Sequence, residues 1–289
     1  MKRKSGFSES QVSSSAVRQS VFRIERRRAF RSKGFWLALL IGCALALSDS
    51  WVHFQRVQLG RAYEIQKALD WYDPSTAFSQ WIGAGVEWQA VVFYLIFPIL
   101  AVLPHGTNYY QDRKSGYLKN ILQRTDKRTY LRAKYGAVFL SGGTVVLIPL
   151  LLNFFLLTLY MPMRTADPLA MLAGPSSPWV QLCYSHTFLY TVIYWVLPFV
   201  TGGLFATVSL IMGRLVDFYF TVLIAPFVLA ILLYNFAVPL NMNGIAPFYF
   251  LQIGMSFGNN PWLIPLLMVL LLIAGLWGFL RKGCRDEIF

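Results

Sequence analysis

Charge is what this sequence has least of. Asp, Glu, Lys and Arg together make up 13% of its 289 residues, about half the share of an ordinary soluble domain. Two soluble domains would fit the length but not so little charge. Cysteine is also scarce: Cys43, Cys183 and Cys284 lie far apart with no CxxC pair, which excludes a disulfide framework and a zinc-binding spacing. Histidine occurs three times, as His53, His105 and His186, on separate segments. The HExxH, GxSxG and DxDxDG patterns are missing, and so is the GxxxxGK[ST] loop of ATP hydrolysis. Acidic residues are outnumbered 13 to 26, giving a net charge of +13. A nucleic-acid-binding face would need those cations on a folded domain or a tail; here they flank apolar runs instead, so no nucleic-acid partner is expected.

Apolar residues fill the space that charge leaves, at 56% of the chain. Runs near the twenty residues needed to cross a bilayer place spans at about 34–54, 86–104, 135–160, 180–212, 218–238 and 261–280. The expected fold is therefore an all-α integral membrane protein of about six transmembrane helices. Residues 1–15 are basic and serine-rich with no apolar run directly behind them, unlike a cleaved signal peptide. They are expected to be a disordered cytosolic leader to a single transmembrane domain over 16–289. Prolines 98, 149, 198, 226 and 265 fall inside spans, where neighbouring helices can satisfy the freed carbonyls.

Lysine and arginine set the orientation. The arm before the first span carries ten, the loop after the second span eight, and Arg214 and the tail four more, making 22 of the 26. Both termini are therefore expected in the cytosol of a multi-pass cell-membrane protein. The outer side keeps only Arg56, Arg61, Lys67 and Arg164. The run Arg61 to Asp73 is expected to form a short outer helix. The segment 241–260 is too short to cross twice and suits a re-entrant or interfacial hairpin turning at Gly244, Pro247 and Gly258.

Intramembrane acids are the default functional candidates, and Asp49 and Glu87 are the nearest to that description. Asp49 lies about 21 Å beyond Phe35 at the helical rise, in the outer third of the bilayer, and Glu87 opens the second span. Both are expected to reach interfacial water, which counts against a proton-coupled carrier.

The most distinctive stretch is Asn108 to Leu140. Tyr117, Leu118, Ile121 and Leu122 recur at helical spacing among charged residues, the pattern of a short amphipathic helix beneath the membrane. By pattern alone it suits anionic lipid and a protein partner equally.

With the preceding segment FRIERRRAFRSKGFW (22–36), the loop DRKSGYLKNILQRTDKRTYLRAK (112–134) resembles that of the type-two ABC exporter permeases. Gly116, Leu118, Leu122, Arg124, Arg128, Tyr130, Leu131 and Lys134 match the family's loop pattern, and Asp112 stands near its usual acid. Lys114 and Thr125-Asp126 depart from it. The resemblance implies an N-terminal interfacial elbow helix carrying Arg26, Arg27, Arg28 and Phe30, and a cytosolic coupling helix between helices 2 and 3. It implies docking of a soluble ATP-binding subunit on Asp112, Arg113, Lys114, Gly116, Tyr117, Leu118, Lys119, Leu122 and Arg124, with Arg214 and Asp217 in a smaller contact. ATP and Mg would be bound by that subunit and none by this chain, which would have no catalytic residue and would pair with a second permease copy or a related one. Phe93, Tyr94, Phe97, Tyr194 and Trp195 could line a substrate path, although a lipid-facing position suits most of them better. The alternatives are an ATP-independent secondary transporter and a membrane assembly or sensor protein without a transport role.

Overall fold

A computed structural model describes residues 19–67, 75–85, 87–123, 125–166, 172–174, 176–237, 239–240, 243–255 and 262–285, without the side chains of 61–67, 243 and 282–285. Of the described residues, 81% are helical and none is in a strand. The helices are α1 (19–30), α2 (Lys33–Lys67), α3 (Ala77–Gln80), α4 (Trp88–Val102), α5 (Asn108–Lys114), α6 (Tyr117–Leu122), α7 (Lys127–Thr158), α8 (Val180–Ser185), α9 (Thr187–Leu215), α10 (Tyr219–Ala237), α11 (Pro247–Phe250) and α12 (Leu263–Arg285).

Five of them are long and apolar enough to cross a bilayer: Lys33–Gly60 of α2, then α7, α9, α10, and Leu263–Arg281 of α12. The second expected span is shorter, since α4 has only 15 residues. The expected third span begins earlier than the apolar run does, at Lys127, because Asp126 caps α7 by accepting from the Thr129 amide. The expected fourth span is divided. His186, at φ −141° and ψ 69°, separates α8 from α9. The outer helix expected over 61–73 is instead a continuation of α2 to Lys67, and residues 68–74 lie outside the described residues.

The core forms around α7, which packs along α9 and α2. Small residues permit this. A Cβ on Gly143 would stand 2.5 Å from the Phe199 carbonyl oxygen, and one on Gly203 would stand 2.8 Å from that of Phe139. Only glycine lets the two backbones approach so closely. Central in the bundle lies α4, packed on α2, α7, α9 and α10. By contrast α10 and α12 expose large apolar side chains, among them Phe220, Leu232, Phe236, Leu270, Ile273 and Trp277. Lipid rather than water suits such a surface.

The position of α4 corrects the reading of the aromatic residues. Phe93, Tyr94, Phe97 and Tyr194 are at most 2% exposed and Trp195 is half-buried. Phe97 meets Phe205 edge-on at 5.5 Å, Tyr190 meets Tyr194 at 4.9 Å, and Trp195 meets Phe154 at 5.2 Å. The first four are core residues with no lipid to face, because the helices around α4 already enclose them. The segment before α12 folds as short helical turns, with the Ile253 amide donating to the Gly83 carbonyl at 2.9 Å. Gly258 lies outside the described residues.

Candidate functional site

The cationic loops converge at one end of the bundle, around a cluster of buried charge. On α1, residues 21, 25 and 29 share one face, and Val21, Glu25 and Ala29 are all buried there. Glu25 thereby carries a carboxylate into the protein, with no exposure at all. It accepts from Arg28 at 2.9 Å, from His105 Nε2 at 3.0 Å and from Lys134 Nζ at 3.0 Å. Lys134, also fully buried, donates in addition to Asp112 at 2.7 Å. Asp112 accepts further from Arg28 at 2.7 Å and from Tyr130 Oη at 2.9 Å. Tyr130 and Lys134 are one turn apart on α7 and so reach the same carboxylate.

The ledger of charge in this cluster is even: two carboxylates, one ammonium and one guanidinium, with a neutral imidazole. In that tautomer Nε2–H of His105 donates to Glu25, and Nδ1 accepts from the Asn108 side-chain amide. Burial lowers the His105 pKa from 6.5 to about 4 despite the hydrogen bond to Glu25. For Glu25, burial opposes ionisation, but the His105 hydrogen bond and the charges of Lys134 and Arg28 hold the carboxyl well below the usual carboxylate range. Asp112 is lowered in the same way: burial acts against Arg28 and Lys134, and the cations prevail.

These three shifts have one sign. Each group binds its proton more tightly in the unfolded chain, so each contributes stability that is present above its unfolded pKa and lost as pH falls. The detergent-solubilised protein is expected to keep a constant melting midpoint above pH 7. The midpoint should then decline from about pH 6.5 toward 4, with the carboxylates adding to the loss at the acid end. A midpoint that stayed level or rose from pH 7 to pH 4 would contradict the cluster.

The residues expected to dock a partner divide into two groups. Asp112 is not on a surface: it is 3% exposed and bonded wholly inward, a correction whose cause is the match between its carboxylate and the two buried cations. Leu118, 2% exposed, packs in the core. Lys114 and Lys119 are exposed, while Gly116, Tyr117 and Leu122 are half-buried. Arg124 lies outside the described residues. The short helix expected from Tyr117, Leu118, Ile121 and Leu122 is α6, and Gly116 turns the chain at φ 76° between it and α5. Only glycine adopts that conformation without strain.

A connection between the two expected docking segments was not foreseen. Arg113 donates to the Arg214 carbonyl at 2.9 Å and to the Asp217 carboxylate, and Tyr110 Oη donates to the Asp217 carbonyl at 2.9 Å. The turn between α9 and α10 is thus fastened to α5. Arg214 itself reaches back to the Phe279 carbonyl on α12 at 3.1 Å. Among the elbow candidates, Arg26 and Arg27 are exposed and Phe30 meets Phe35 at a tilt, with ring centroids 5.0 Å apart. Arg28 turns inward, with its guanidinium 4.7 Å over the Tyr117 ring.

Glu25, His105, Asn108, Tyr130 and Lys134 enter this site although none was expected to act in it. Glu25 did carry a signal, as the lone acid among the arginines and lysines of 18–33.

A second polar cluster lies at the opposite end of α7. Asp49 was expected to reach interfacial water but is 1% exposed, and His53, one turn along α2, is 2% exposed. Asn153 joins Asp49 to the turn at Trp81 and Ile82, donating to the carboxylate at 2.8 Å and accepting from the Ile82 amide at 2.8 Å. Glu87 is half-exposed and pairs with Arg56 at 2.5 Å.

No family model, no curated protein and no solved structure matches this chain.

Proposed function

We propose that the chain is the membrane-spanning permease subunit of an ABC exporter, driven by ATP hydrolysis on a separate subunit. The observation that carries this reading is the Arg113 bridge. It joins α5, which runs into α6 through Gly116, to the turn at 214–217, and a partner pressing there would move α5, α9 and α10 together. The buried cluster then ties α5 to α1 and α7, so displacement of the surface reaches the helices that form the core.

On this reading α4 is a sixth, short crossing and both termini are cytosolic, because nearly all the lysines and arginines lie at the α1–α5–α6 end or in the tail. Helix α1 is the interfacial elbow, α6 is the coupling helix, and the turns at 243–255 form the re-entrant segment. ATP and Mg belong to the soluble partner. A second permease, identical or related, completes the pathway.

Docking is tested by recovering the tagged chain from its native host in mild detergent. Lys114→Glu with Lys119→Glu reverses two exposed charges without touching Arg113, whose bonds hold the surface together. The unaltered chain is expected to bring down a soluble protein with a phosphate-binding loop in near-equal amount, and the double variant to lose it. Full recovery with the variant would refute the docking surface.

A second reading, an ATP-independent carrier, draws on the outer cluster. Asp49 is enclosed within the bundle, with His53 Nε2 3.8 Å from its carboxylate, the kind of intramembrane pair through which ions or protons are handled. Recovery of the unaltered chain without an ATPase, even after crosslinking, would favour it.

A further inference from the structure

We propose that the cleft between α1 and α7 binds the phosphate headgroup of an anionic phospholipid. The cleft has a volume of about 180 Å³ and is lined by Phe22, Thr129, Arg132 and Ala133. That space suits a headgroup and is too small for a helix or a folded peptide. Its floor is apolar: Phe22 lies along α7 where a Cβ on Gly136 would be 3.1 Å from the ring, and Ala133 is buried beside it.

Arg132 is the cation that lines the cleft, and two more stand one helical turn from its lining residues. Arg132 and Arg128 are one turn apart on α7, Arg26 is one turn from Phe22 on α1, and all three are exposed. None of the three is within 4 Å of a carboxylate among the described residues. The nearby acid, Asp126, is engaged by the Thr129 amide at 3.2 Å and the Thr129 hydroxyl at 3.4 Å. The Arg132 guanidinium therefore supplies the phosphate contact and the Thr129 hydroxyl does not.

Position decides the source of the phosphate. Arg132 stands in the second turn of a helix long and apolar enough to cross a bilayer, so the cleft opens at headgroup depth and the apolar floor leads toward the acyl chains. Basic pockets between helices at this depth favour anionic lipid. The inference does not depend on which transport reading holds.

Native mass spectrometry of the purified full chain, delipidated in detergent, tests it with three probes: phosphatidylglycerol, phosphatidylcholine and inorganic phosphate. The unaltered protein is expected to retain phosphatidylglycerol in preference to phosphatidylcholine. Arg132→Gln is expected to weaken retention about fivefold, the effect of one cation at the membrane surface. Lys119→Gln, which removes an exposed cation on α6, should leave it unchanged. Thr129→Trp, filling the cleft from its rim, provides the same readout by a steric route if Arg132→Gln does not yield a monodisperse protein. Equal retention in the Arg132 and Thr129 variants and the unaltered chain would overturn the site. Equal losses in the Arg132 and Lys119 variants would reduce it to diffuse attraction, and displacement by inorganic phosphate would make the ligand a free anion; either result overturns the proposal.

Discussion

Lys134→Met is expected to destabilise the folded protein by about 3–5 kcal/mol, the cost of leaving a buried charge without its partner. Methionine fills much of the same volume, so the loss would be electrostatic. With the ammonium gone, Glu25 and Asp112 share the Arg28 guanidinium as their one cation in the cluster, beside the neutral hydrogen bonds from His105 and Tyr130, and both are almost wholly enclosed. The measurement is the melting midpoint of the monodisperse protein in detergent. A second variant separates charge from shape: Lys134→Met combined with Asp112→Leu leaves Glu25 and Arg28 as a balanced pair and is expected to recover most of the loss. A single variant within about 1 kcal/mol of the parent would mean that the cluster is solvated after all. A double variant no better than the single would assign the loss to packing.

Asn153→Leu should cost about 3 kcal/mol through unsatisfied buried groups. The side chain is similar in size but cannot hydrogen-bond. Asn153 Nδ2 donates to the Ala46 carbonyl at 3.1 Å, to Asp49 at 2.8 Å and to Ser50 Oγ at 3.1 Å, while its Oδ1 accepts from Ile82. Leucine would strand the Asp49 carboxylate and the Ile82 amide inside the protein. It would also free the turn at Ile82 from α7, so proteolysis should become faster around residues 75–85 as the midpoint falls. Asn153→Asp is the sharper comparison, since it sets a second acid against Asp49 and is expected to be worse than leucine at neutral pH. Leucine tolerated without change in either readout would show that Asn153 is not the clamp.

The elements read most accurately from the sequence are those that depend on length and apolarity alone. The expected span 218–238 is α10 within a residue at each end, and 261–280 begins two residues before α12. Errors occur where polar residues join a helix. Helix α7 starts eight residues before its apolar run, at Lys127, because Tyr130 and Lys134 are buried against Asp112 instead of lying in solvent. A loop with eight cations gave no hint that one of them had left the surface. For the same reason Asp112 read as an exposed docking residue. Burial of a charge depends on partners far along the chain, here 84 residues away in Arg28 and 22 in Lys134, and no local pattern encodes that separation.

The aromatic residues of α4 had a similar ambiguity. A phenylalanine in an apolar span looks the same whether it faces lipid, a pathway or a neighbouring helix, and only the packing of four helices around α4 distinguishes them. Composition and periodicity thus determined a helical chain suited to a bilayer and its cationic segments, because these depend on transfer free energy residue by residue. The tertiary structure alone decided which charges were buried, which turn joined which helix and where the aromatics faced, because each of these is a pairwise interaction between residues distant in sequence.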